Sequence, residues 1–224
     1  MKPNPSFLGL WLRVLTFRAT AADYEALGAG HLLAGFVVVW LVGMGRYWDD
    51  PRATTLQHHG LGSLIYIFIL AAVLWALAKP VDPQSFDYLS ILTFVTMTAP
   101  PAALYAIPIE KWLPPEEANL INLRFLAIVA LWRLGLWTHY LWRSGNLTFI
   151  QIATCALLPV GLIFTALTVL NLQHHVIDVM GGIRDAEPTA HDAAHSAVTL
   201  LIILTLPLSG LAALSWIILV ARRP

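Results

Sequence analysis

Residues 60–78 read G-L-G-S-L-I-Y-I-F-I-L-A-A-V-L-W-A-L-A, a stretch without one charged side chain. At 1.5 Å per helical residue such a run reaches across the hydrocarbon of a bilayer. Its limits are sharp. The polar loop 46–59 (RYWDDPRATTLQHH) precedes it, and Lys79 with Pro80 and Pro83 follows. The rest of the chain has the same character: it is 58% hydrophobic and 12% charged, with a mean hydropathy of +0.71. Those values lie well past the level of a soluble domain. The expectation is an all-α, polytopic membrane helix bundle.

Working outward from residues 60–78, five further spans are predicted. The first covers 28–45, with His31 about one turn inside it. The third, 88–109, holds Pro100-Pro101 in its middle and Pro108 at its end, so it should be kinked or broken. The fourth, 119–142, carries Arg124, Arg133 and His139; the fifth runs 147–172; the sixth begins near Pro188 and is apolar over 197–220. Before them, Phe7, Leu8, Trp11, Val14 and Leu15 fall at helical spacing, with Arg13 and Arg18 toward the polar side. That pattern predicts an N-terminal amphipathic helix lying in the interface. The chain therefore divides into an interfacial segment, 1–27, and a six-span transmembrane domain, 28–224. No cleavable signal peptide is expected, because Arg13 interrupts the apolar residues 7–17 and no small-residue cleavage site follows.

Six spans put both termini on one side. Lys2, Arg13, Arg18, Lys79, Arg143, Arg222 and Arg223 share that side, against Arg46, Arg52, Lys111 and Arg184 on the other. The excess predicts cytoplasmic termini, with a bacterial inner membrane as the setting. The formal net charge of zero gives no footprint for nucleic acid. Cys155 is the sole cysteine, so neither a disulfide framework nor a thiolate metal site is possible within the chain.

Polar residues gather in residues 171–199, N-L-Q-H-H-V-I-D-V-M-G-G-I-R-D-A-E-P-T-A-H-D-A-A-H-S-A-V-T. His174 and Asp178 are spaced i,i+4, His175 and Asp178 i,i+3, and His191 and His195 i,i+4, so each pair shares one face of a helix. Gly181-Gly182 offers a helix stop and Pro188 suits a first turn. L-Q-H-H occurs twice, at 56–59 and 172–175, and brings His59 to the same outer face. These side chains predict a metal site for Zn, Fe or Cu, ligated by His59, His174, His175, Asp178, His191 and His195. In H-D-x-x-H, the form of residues 191–195, Asp192 stands where a general base or ligand orienter would act. Arg133 sits far from either end of its span and is a candidate for substrate binding, with a clamp on carbonyls freed by the prolines as the structural alternative.

The H-D-x-x-H and H-H boxes resemble those of membrane-bound desaturases and hydroxylases, which hold two metal ions at the membrane surface. The resemblance covers the boxes alone: their order is reversed and the H-x-x-H-H boxes are missing. The charge bias also places the boxes outside rather than in the cytoplasm, so no family follows; the His/Asp site itself predicts a metal-dependent membrane enzyme, oxidoreductase or hydrolase, acting on a lipophilic substrate. A second reading pairs His31 with His139, and His59 with His174 or His175, around two b-type haems, in an arrangement that resembles the cytochrome b561 electron carriers. A third takes the broken span and Arg133 as parts of a transporter, or of a structural subunit in a membrane complex or homo-oligomer.

Overall fold

The computed structural model describes residues 6–50, 53–170 and 188–222; the side chains of residues 115, 116, 119, 188–202 and 204 stand outside that description. Every regular element among the described residues is helical. The order is α1 (Phe7–Leu15), α2 (Ala21–Glu25), α3 (Ala29–Gly45), α4 (Thr55–His58), α5 (Leu61–Ala78), α6 (Tyr88–Met97), the 3-10 helices Pro100–Ala106 and Ile109–Lys111, α7 (Pro115–Ser144), α8 (Phe149–Val169) and α9 (Pro188–Ala221).

Among the described residues α5, α8 and the Leu120–Ser144 part of α7 are long and apolar enough to cross a membrane. α6 and the following 3-10 segment, bent by 44°, make a fourth if the bent pair is one span. α3 and the Thr205–Ala221 part of α9 are apolar but shorter. Length and composition thus support three or four membrane crossings where six were expected. The chain is an integral membrane protein on that ground.

The bundle is organised around α6. Its residues Ile91 through Met97 are all buried, and a helix buried on every side belongs inside a bundle. α3 and α5 flank it, and α1 touches it. The α3 crossing is close because Gly35 has no side chain: a Cβ there would sit 2.6 Å from Thr96 Cβ. Gly161 of α8 would likewise overlap the Ser209 side chain of α9. Small residues at crossings let apolar helices approach without a hydrophobic drive between them.

Pro100-Pro101 breaks the third span where the sequence predicts, and the chain continues as a 3-10 helix. Pro101 has no N–H for the carbonyl of Met97; the indole Nε1 of Trp11 donates to it at 2.8 Å. Ala102 N–H bonds to Ala99 in the tighter 3-10 pattern, which releases the Thr98 carbonyl, and Arg133 Nε donates there at 3.3 Å. Both freed acceptors are satisfied by protein, as the absence of water from a bilayer core demands.

The same device recurs. Pro159 inside α8 frees the carbonyl of Cys155, and Trp137 Nε1 donates to it at 3.0 Å. Trp132 caps Leu15 at the end of α1, Trp48 caps Ala106 at the end of the 3-10 helix, and Trp216 caps Leu77 near the end of α5. Trp40 donates to His59, which closes α4. Six of the nine tryptophans therefore donate to a carbonyl that a proline or a helix end has left open.

The N-terminal segment departs from the single interfacial helix expected. Phe17 takes a left-handed backbone, φ 61°, which ends α1. Thr20 then starts α2 by accepting from Asp23 N–H while the Asp23 carboxylate accepts from Thr20 N–H. α1 buries Leu10, Trp11 and Val14 and leaves Phe7, Leu8 and Leu12 exposed. It is docked on the bundle by the Trp11 bond to Met97, a contact across 86 positions that periodicity does not show.

Candidate functional site

The bundle has two distinct ends. Asn146 N–H donates to Asp82 Oδ2 at 3.2 Å, so the α5–α6 and α7–α8 connections meet at one end, called the near end. The start of α5, with His59, lies at the opposite, far end. α8 and α9 run antiparallel, Gly161 facing Ser209 and Thr154 Oγ1 bonding Ser215 Oγ at 3.0 Å. Carried on in register, Val169 falls opposite about residue 200 of α9, so roughly three turns of α9 extend beyond α8 at the far end. His191, Asp192 and His195 lie on those turns. Their backbone is helical, which gives His191 and His195 the shared face that i,i+4 spacing implies.

His59 is exposed and is the C-cap residue of α4. Its ring Nδ1 lies 2.8 Å from the carbonyl of Thr55. A carbonyl only accepts, so Nδ1 carries the proton and Nε2 of the neutral ring keeps its lone pair, the tautomer a metal ligand needs. The His59 carbonyl is itself held by Trp40 Nε1 at 2.8 Å. His174, His175 and Asp178 lie outside the described residues, as do the side chains of His191, Asp192 and His195. Among the described residues no group of three or more His, Cys, Asp or Glu side chains comes together. What the structure brings to one end is His59 and the helical backbone of the H-D-x-x-H box.

Arg133 is half-buried beside the proline break, bound through Nε to Thr98 as the carbonyl-clamp alternative anticipates. Tyr105 belongs to the 3-10 helix Pro100–Ala106, which packs against both α3 and α7. The Arg46 guanidinium carbon stands 5.3 Å from the centre of the Tyr105 ring.

Two histidines of the haem reading, His31 and His139, are held by protein at Nδ1, while His31 Nε2 is buried without a hydrogen-bond partner among the described residues. His139 is buried, and its Nδ1 shares a 2.9 Å hydrogen bond with Tyr24 Oη. Burial, partly opposed by the charge of Arg143, holds the Tyr24 phenol far above its ordinary range, so it stays protonated. His31 stacks on Phe7 with ring centroids 4.3 Å apart and takes the Gly28 N–H on Nδ1 at 3.3 Å. Sequence reasoning misses the Tyr24–His139 pair because its members are 115 positions apart. It also misses Arg13 and Asp23, which pair at 2.9 Å in the corner between α1 and α2. Burial would raise the Asp23 carboxyl, but hydrogen bonds from Thr20 and the Arg13 guanidinium outweigh it and hold the group below its ordinary value.

The fold defines a class, a helical integral membrane protein. Comparison with family models, curated proteins and solved structures finds no match.

Proposed function

We propose that the chain is a metal-dependent membrane enzyme with one or two divalent ions, Zn, Fe or Cu, held at the far end by His191, His195, His175, His174, Asp178 and His59. The observation that supports this reading is the helical backbone of α9 over residues 191–195, extending past α8 toward the end of the bundle that also carries His59. Asp192, next in sequence to a ligand, would serve as general base or orient a ligand, the metal would supply Lewis acidity, and Arg133 would contact a lipophilic substrate. In this reading the chain crosses a bacterial inner membrane six times with cytoplasmic termini, and α1 rests at the interface through Phe7, Leu8 and Leu12. Elemental analysis of protein purified without chelator tests it: one or two equivalents of a transition metal are expected, and a metal-free protein that also fails to take up added Zn, Fe or Cu contradicts it. A transport or scaffolding role is the second reading, favoured by the charged Arg133 at the broken span.

A further inference from the structure

Arg133 lies roughly a dozen residues from the near end of α7, about 17 Å along its axis, and so near mid-depth of the bundle. A guanidinium has five donors, and Thr98 takes one of them. Arg133 belongs to neither of the ion pairs Arg13–Asp23 and Lys111–Asp49. Among the described residues no carboxylate pairs with it, and a half-buried charge at that depth is costly unless an anion or water meets it. Around it, the residues form a path rather than a point. Arg46, the C-cap of α3 at the far end, reaches over Tyr105 at 5.3 Å and over its neighbour Tyr47 at 5.4 Å. Tyr105 and Arg133 then continue inward to the break at Thr98.

We infer that Arg133, with Arg46 and Tyr105, binds the anionic oxygen group of an amphiphile whose tail stays in the lipid. The remaining donors of Arg133 suit a planar carboxylate or a phosphate taken in bidentate fashion. Tyr105 and Tyr47 offer aromatic faces on which the Arg46 guanidinium rests. The 3-10 geometry contributes directly, since it leaves the Thr98 carbonyl free to hold Arg133 by Nε, with the guanidinium's other donors uncommitted among the described residues. This deepens the reading of Arg133 as a substrate contact and does not depend on the metal.

The test is native mass spectrometry of the full chain in a neutral detergent, titrated with phosphatidylglycerol, with phosphatidylcholine, and with inorganic phosphate as a soluble competitor. The parent should retain phosphatidylglycerol over phosphatidylcholine by about tenfold, the scale of one close charge pair. Arg133→Gln should abolish the preference, Arg133→Lys should keep part of it, and Arg124→Gln on the same helix should leave it intact. Thermal unfolding of each variant verifies its fold, and Arg46→Gln, expected to weaken the preference, serves if Arg133→Gln does not fold. A preference unchanged in Arg133→Gln and in Arg46→Gln overturns the inference, as does displacement of the lipid by millimolar phosphate, which would mark a small-anion site. Metal content measured on the same samples separates this result from the fate of the metal reading.

Discussion

Arg133 on α7 donates Nε to the carbonyl of Thr98, which the shift from α to 3-10 geometry at Pro100-Pro101 has released. One residue earlier Trp11 donates to Met97, whose partner Pro101 cannot supply an N–H. The broken span is thus held from two sides, by the N-terminal helix and by α7. Trp11→Phe keeps most of the buried ring and removes the donor, leaving a buried carbonyl unsatisfied at a cost of about 1–3 kcal/mol. In a Pro101→Ala background the new N–H can serve Met97, so the same substitution should cost under about 1 kcal/mol. Unfolding free energies of the four proteins in mixed micelles give the coupling; equal cost in both backgrounds would remove the proline from the explanation.

The close helix crossings make a second expectation. Gly35→Ala drives a Cβ into the Thr96 side chain between two packed backbones and should destabilise by about 1–3 kcal/mol. At Gly210 a methyl group would meet nothing within 4 Å, so Gly210→Ala should cost nothing and could gain up to about 1 kcal/mol from helix propensity. Melting temperatures measured side by side check the contrast, and a lower value for Gly210→Ala than for Gly35→Ala contradicts it.

How far the sequence was legible depends on the range of the cause. The run 60–78 became α5 at Leu61–Ala78, and Pro100-Pro101 broke its span, because both effects act within a few residues. Arg133 bonding a carbonyl at that break was also legible, since no acidic residue sits in a span core to compete. The docking of α1 was not, because it rests on indole bonds between residues 86 and 117 positions apart, Trp11 to Met97 and Trp132 to Leu15. At the far end the histidine spacing is local and readable, and the i,i+4 pair does lie on a helix. Which side chains from other elements join it is a tertiary question that spacing leaves open.

Acid should loosen the corner between α1 and α2. The Asp23 carboxyl titrates below its ordinary 3.8 in the folded chain because the Thr20 and Arg13 hydrogen bonds outweigh burial. A depressed folded value means the stabilisation is fully present above pH 3.8 and is lost as pH falls through the lower folded value. Asp23→Asn should therefore be less stable than the parent near neutrality, with the gap closing in acid. Hydrogen exchange of the α2 amides at two pH values reads it directly; a gap that widens in acid would show the sign to be wrong.

The proposed six-span arrangement, with its lysine and arginine bias, makes a prediction about sidedness. Reporter fusions after residue 222 and within 53–58 should report opposite faces, with the C-terminal fusion cytoplasmic. Both fusions on one face would require an odd number of crossings to be lost between them.

The measurement that bears most directly on the proposed activity is elemental analysis of the purified parent beside His191→Ala, His195→Ala and His31→Ala. The account predicts one or two equivalents of transition metal in the parent and in His31→Ala, loss in both α9 variants, and occupancy in the parent that falls as pH drops below about 6.5, where imidazole takes up protons. Equal metal in all four proteins, or none in the parent after loading, would contradict it.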